Sequence, residues 1–200
     1  MKRLLLGTKN EGKIAEAMEL LAGIEGLELL TFVDNCFQDV AETGSTFLEN
    51  AVLKAQSICA ETHLPVLSED AGLEVAYLDG APGIRSARFS GEPVDYVRNN
   101  TLLLETMRGA ADRRARFMAV AVLHLPDGQT FATSGILQGM ITERPIGKEG
   151  FGYDPLFRPD GHVRTLAEMS VVEKNRISHR KQALLRMRLI LDRLMDDSVL

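Results

Sequence analysis

The chain has 200 residues, 45% hydrophobic and 26% charged, and a formal net charge of −5. That suits one globular domain spanning 1–200, or two lobes sharing a core, with a sizeable apolar interior. No apolar run approaches the length of a membrane span, and an acidic chain without a basic stripe argues against a nucleic-acid partner. Met1-Lys-Arg is followed by only three leucines, too few for an export signal, and Cys36 and Cys59 lack metal-ligand spacing. The expected setting is the cytoplasm, with reduced thiols.

Arg3–Leu6 reads as a short buried strand, and Gly7-Thr-Lys-Asn-Glu-Gly-Lys13 breaks its character abruptly. From Ile14 the apolar residues fall at helical spacing (Ile14, Met18, Leu21), with Gly23 as the stop. A glycine-containing loop entering a helix offers unpaired N–H groups and a positive dipole end to an anion. Lys9 and Lys13 add charge, and Thr8 and Asn10 add hydrogen-bonding groups. The segment is not a Walker A loop, because Ile14 stands where Ser or Thr is required. An ordinary capped strand-to-helix turn is the competing reading.

A second strand is expected over Leu29–Val33. Thr46-Phe-Leu-Glu49 is a capping box opening a helix to about Glu61, with the apolar stripe Leu48, Val52, Ala55 and Cys59. Lys54 on its flank reads as a solvated charge. Glu42, in the loop before it, is a candidate oxygen ligand for a hard cation if it faces Asp70.

The central stretch is Leu64–Gly91. The apolar run Val66-Leu67 ends in Glu69 and Asp70, then come Ala71-Gly72, Gly80-Ala-Pro-Gly83, Arg85 and Arg88. Carboxylates just past a buried strand stand where open α/β sheets place their chemistry. A solvated acidic turn competes with that reading.

Val94–Met107 reads as a helix closed by Gly109, and Arg116–Leu125 as a doubly buried strand. Pro126-Asp127-Gly128 turns it into a partner strand over Thr130–Met140. His124 in the hairpin reads as structural. Gly147–Pro155 encloses Phe151, Tyr153 and Asp154 among three glycines. Glycine permits close backbone approach, and an aromatic gives a face on which a base stacks; the alternative is a tight loop whose aromatics plug the core. Thr165-Leu-Ala-Glu168 is a further capping box, continuing as helix to Lys174. Ser178 then caps a long helix with the stripe Leu184, Met187, Leu191, Leu194. Its first turn, His179-Arg180-Lys181, opposes the helix dipole at roughly 0.3–1 kcal/mol per exposed cation, which points to an anion or hydrogen-bonding ligand there.

Four stretches, Thr8–Lys13, Ser68–Leu73 with Gly80–Gly83, Phe151–Asp154 and Ser178–Arg180, stand in an order and spacing that resembles one family. Glu42-Thr-Gly44 and Glu49-Asn-Ala51 extend the likeness across nearly the whole chain. The family is that of the inosine triphosphate pyrophosphatases, the Ham1-like noncanonical purine nucleoside triphosphate pyrophosphatases. The resemblance implies a homodimeric α/β protein with a long mixed β-sheet flanked by helices and two lobes around a central nucleotide-binding cleft. It implies Mg²⁺-dependent hydrolysis of dITP, ITP and XTP to the monophosphate and pyrophosphate, cleansing the nucleotide pool.

Carried over by motif, Asp70 would be the general base and a magnesium ligand, with Glu42 as a second candidate ligand. Thr8, Lys9, Asn10, Glu11, Gly12 and Lys13 would hold the triphosphate. Phe151, Gly152, Tyr153, Asp154, Lys174, His179 and Arg180 would hold the purine and its surroundings. Donors such as His179 and Arg180 would match the 6-carbonyl of inosine or xanthosine and reject adenine, a mismatch that discriminates by roughly 10⁴. The chain departs from the pattern at Ala71, where the family has a serine that contacts substrate or metal, leaving a backbone N–H for that role. It departs again at Lys9, an added cation where the family has a small residue. Two rivals remain: a Maf-like pyrophosphatase for pyrimidine or modified nucleotides, and a nucleotide-binding protein without turnover.

Overall fold

The computed structural model describes residues 1–196, whose contacts divide into two compact units. Among the described residues the first takes in 1–70, 119–135 and 180–196, and the second 71–118 and 136–179. Strands β1 (Lys2–Leu6), β2 (Leu27–Leu30), β3 (Val66–Val75), β4 (Arg114–His124), β5 (Thr130–Ile141) and β6 (Phe157–Pro159) form one mixed sheet in the order β2-β1-β3-β4-β5-β6. β1 is parallel to both its neighbours, with Leu4 opposite Leu29 and Leu5 opposite Val66, whereas β5 and β6 are antiparallel. Parallel neighbours need crossover connections. Helix α1 (Glu11–Leu21) supplies the one from β1 to β2, and α2 (Phe47–Thr62) lies between β2 and β3.

In the first unit, Leu4, Leu5, Leu6 and Val66 are buried almost completely, as an unbroken apolar run in a parallel strand requires. Helix α5 (His179–Asp196) buries Leu184, Met187, Leu191 and Leu194, the stripe its spacing dictates. Arg188 of α5 donates Nη1 to the carbonyls of Leu20 and Ala22 at 2.8 and 2.7 Å. Those are end carbonyls of α1, which has no basic residue of its own in its last turn.

In the second unit, Leu73, Val75, Leu103, Met107, Ile141, Tyr153, Leu156 and Phe157 form the core. The Phe117 and Phe157 rings meet at 4.7 Å and 56°, a favourable tilted geometry. Helix α3 (Tyr96–Thr106) is capped by Asp95, whose side chain accepts from Arg98 N.

Several local expectations are corrected. β3 does not end at the carboxylates but runs ten residues through them, so Glu69 and Asp70 are mid-strand and buried. β2 stops at Leu30, and Val33 lies in an exposed turn. Met18 and Leu48 are exposed; Ala17 with Leu21, and Phe47 with Ala51, take the buried positions. Thr46 Oγ1 accepts from Glu49 N as the capping box requires, while the Glu49 carboxylate accepts chiefly from Ser45 N and Oγ. The helix expected over 165–174 is broken at Met169: a 3-10 turn over Leu166–Glu168 is followed by α4 (Val171–Ile177), capped by Ser170. Ser170 and Glu173 supply a second capping box, which starts α4 afresh.

Candidate active site

Adjacent residues of a strand point to opposite faces, so Glu69 and Asp70 serve different partners. Asp70, only 6% exposed, accepts from Asn50 Nδ2 at 3.2 Å through Oδ2. Its Oδ1 lies 3.7 Å from Lys54 Nζ. The same ammonium donates to Glu42 Oε1 at 2.6 Å and to the Glu69 carbonyl at 2.9 Å. Lys13 Nζ reaches that carbonyl as well, at 3.4 Å. Two lysines from two helices thus converge on one backbone oxygen beside a buried carboxylate.

Burial pushes the Asp70 carboxyl above the ordinary aspartate value; Lys54 and Lys13 pull it down, while Glu42 adds to the rise. Burial likewise holds Lys13 below the ordinary lysine value against the attraction of Glu69. Both groups are therefore easier to neutralise than on a surface.

On the other face, Arg180 Nε donates to both Glu69 oxygens, at 2.8 and 3.0 Å, and Nη1 to Glu16 Oε2 at 2.9 Å. The anion that the cationic first turn of α5 calls for is thus supplied in part by the protein itself. Asn10 caps α1, accepting from Lys13 N, and Thr8 Oγ1 accepts from Asn10 N. Lys9 turns to the exposed Asp39 at 2.9 Å. Gly7 lets β1 approach β3, since a Cβ there would stand 2.3 Å from Ser68 Oγ.

In the second unit, the loop after Gly147 holds its aromatics in opposite ways. Tyr153 is buried and donates its hydroxyl to Ser86 O at 2.9 Å, so it plugs the core. Phe151 is 44% exposed. Asp154 organises the loop: its Oδ2 accepts from Phe151 N at 2.9 Å and from Lys174 Nζ at 2.6 Å. Lys174 Nζ also lies 4.8 Å from the Phe151 ring centroid. Gly150, at φ +75, makes room for that carboxylate, because a Cβ would stand 2.1 Å from Asp154 Oδ2. His179 is buried with its ring stacked on Phe117, centroids 5.0 Å apart and planes 9° from parallel.

The chain that carries this buried aspartate and this exposed aromatic is similar over most of its length to known proteins. The Ham1 family model matches residues 4–190. A dITP/XTP pyrophosphatase of Deinococcus deserti is 46% identical over 92% of this chain and 86% of its own length. One from Thermus thermophilus is 48% identical over 91% and 88%. A Ham1 protein from Coxiella burnetii superposes with a TM-score of 0.91 at 38% identity, covering 96% of this chain and 98% of its own. The chain belongs to the Ham1 family.

Sequence reasoning for this Ham1-family chain missed Lys54. Read as a solvated charge, it is instead the group on which Glu42, Asp70 and the Glu69 carbonyl converge. Asn50 and Lys54 are four residues apart, hence on one face of α2, but that this face is turned inward shows only in the burial of Asn50, 1% exposed. Glu16, the second partner of Arg180, carried no signal, since a charge on a helix flank is ordinarily solvated. Glu42 and Asp70 are brought together on one ammonium, so two hard oxygen donors already face one positive charge. Magnesium keeps several waters and takes one or two carboxylates with substrate phosphates, so this donor pair fits it. Among the described residues no three His, Cys, Asp or Glu side chains gather into a dedicated cage. No helix among them is long and apolar enough to cross a membrane.

Proposed function

We propose that this chain hydrolyses dITP, ITP and XTP to the nucleoside monophosphate and pyrophosphate, in the cytoplasm and as a homodimer. The observation that carries the reading is the buried Asp70 facing Lys54 and Glu42, in a family whose relatives are named dITP/XTP pyrophosphatases.

Asp70 is the general base. It takes a proton from water as the water oxygen bonds to phosphorus, the bridge between the α and β phosphates breaks, and pyrophosphate leaves. A base of raised pKa suits proton abstraction near neutral pH better than an ordinary aspartate. Lys13 and Lys54 offset the charge of the phosphates, with Thr8, Lys9, Asn10, Glu11 and Gly12 lining the approach to α1. Asp70 and Glu42 would hold Mg²⁺, which would supply neutralisation of phosphate charge and a lowered pKa for water. The backbone N–H of Ala71 stands in for the missing serine hydroxyl. Phe151 stacks the base, supported by Gly152, Tyr153, Asp154 and Lys174, while His179 and Arg180 present donors to the 6-carbonyl.

The test is pyrophosphate release from dITP, XTP, dGTP and dATP, with and without Mg²⁺. Metal-dependent release from dITP and XTP, with dATP refused, is expected. Preference for dTTP or dUTP in the same assay overturns the purine assignment, and nucleotide binding without any release overturns the assignment as an enzyme.

A further inference from the structure

Helix α3 presents two side chains, one turn apart, to the loop that carries Phe151. The Tyr96 and Phe151 ring centroids are 6.2 Å apart with planes inclined at 49°. Asn100 lies four residues on and therefore on the same face of the helix. Its Nδ2 donates to the Gly152 carbonyl at 3.0 Å. Its Oδ1 is buried and meets no hydrogen-bond partner among the described residues. A leucine would avoid that orphaned oxygen, so the amide is in place for its single bond to the loop.

Phe151 is thus restrained from several directions and still exposed. Asp154 holds its backbone N–H, Lys174 lies over the ring, Tyr96 braces it, and Asn100 fixes the next peptide. An exposed ring without such support samples several rotamers, and that freedom is lost when a base stacks on it. Restraint in the free protein removes this penalty from binding. Tyr96 is itself 39% exposed, so its contact with Phe151 is not a consequence of core packing.

We propose that Tyr96 and Asn100 are positioning residues that fix the plane of Phe151 for a stacked purine, an inference that rests on the function proposed above. Neither residue touches the reacting phosphates; both act through Phe151.

The experiment compares KM and kcat for dITP in the wild type, Tyr96→Ala, Tyr96→Phe and Asn100→Leu, alongside inhibition by inorganic tripolyphosphate, which has no base. Tyr96→Ala and Asn100→Leu should raise KM about three- to tenfold, part of what a stacked base contributes. Their kcat should stay within about twofold and tripolyphosphate inhibition should not change, while Tyr96→Phe behaves as wild type. An unchanged KM in Tyr96→Ala, or equal weakening toward dITP and tripolyphosphate, overturns the inference. A wild type that releases no pyrophosphate from dITP removes the proposed function instead. The positioning is then read in the ligand-free protein, by NMR of labelled phenylalanine rings with Phe151 assigned through Phe151→Leu. Tyr96→Ala should shift the Phe151 ring signals and Tyr96→Phe should not; signals unmoved by Tyr96→Ala overturn the positioning.

Discussion

Lys54 Nζ stands 2.6 Å from Glu42 Oε1 but 3.7 Å from Asp70 Oδ1, so the buried aspartate receives the weaker half of a shared cation. A closer ion pair would drive the Asp70 pKa down and make a poor base. At the observed spacing burial outweighs the lysines, and the carboxyl stays above its ordinary value.

Asp70→Asn should lower pyrophosphate release by about 10²-fold or more, the scale of a lost general base. It should also stabilise the protein at neutral pH. A carboxyl whose folded pKa is raised favours folding below its unfolded pKa and loses that contribution as pH rises through the folded value. At pH 7 the charged Asp70 therefore opposes folding, and asparagine removes the opposition. A Tm rise of roughly 2–4 °C per kcal/mol recovered is expected, shrinking as the pH is lowered toward the Asp70 titration. Calorimetry of both proteins at pH 7 and at acid pH checks it; a lower Tm at pH 7 would contradict the burial argument.

The acid limb of kcat/KM in the wild type should lie above 3.8, the ordinary aspartate value, because protonation of Asp70 stops turnover as pH falls. Lys54→Met removes the strongest cation acting on Asp70 and leaves Glu42 raising it. The limb should then move to higher pH, with kcat/KM reduced at every pH. A pH–rate profile of each protein decides this, and a limb moved downward would exclude Asp70 as the titrating base.

Arg180→Gln should destabilise the fold by about 3–5 kcal/mol, because Glu69 would be left as a buried charge without its guanidinium. Urea unfolding measures the loss. Arg180→Lys should recover only part of it, since an ammonium cannot reproduce the guanidinium's simultaneous bonds to Glu69 and Glu16.

Gly150→Ala should destabilise by about 1–3 kcal/mol, for two reasons: a left-handed backbone conformation and a Cβ driven into the Asp154 carboxylate. The displaced Asp154 would release Lys174 and Phe151 N, so the KM for dITP should rise more than kcat falls. Gly152→Ala meets nothing within 4 Å of its Cβ and carries the backbone strain alone, which makes it the control.

Much of the architecture was legible because it follows from local pattern. The buried runs at Leu4–Leu6 and Val66-Leu67, the Thr46 cap, the Pro126–Gly128 turn and the stripe of α5 all formed as their spacing dictates. Local pattern failed where one element's length or partner was set by another. Strand β3 continues through Glu69 and Asp70 because buried charges find counter-charges on Arg180, Lys13 and Lys54, far away in sequence. Periodicity cannot register a compensation 111 residues distant.

The sequence by itself determined the mixed α/β class, the loop after β1, the acidic pair and the aromatic loop, since each depends on residues within a few positions of one another. Tertiary structure alone decided that Lys54 is a shared cation and not a solvated flank, that Arg180 is held by carboxylates, and that Tyr153 is buried while Phe151 is exposed. The reason is that burial and charge pairing are properties of neighbours in space, and the same side chain is solvated, paired or catalytic according to what long-range packing sets beside it.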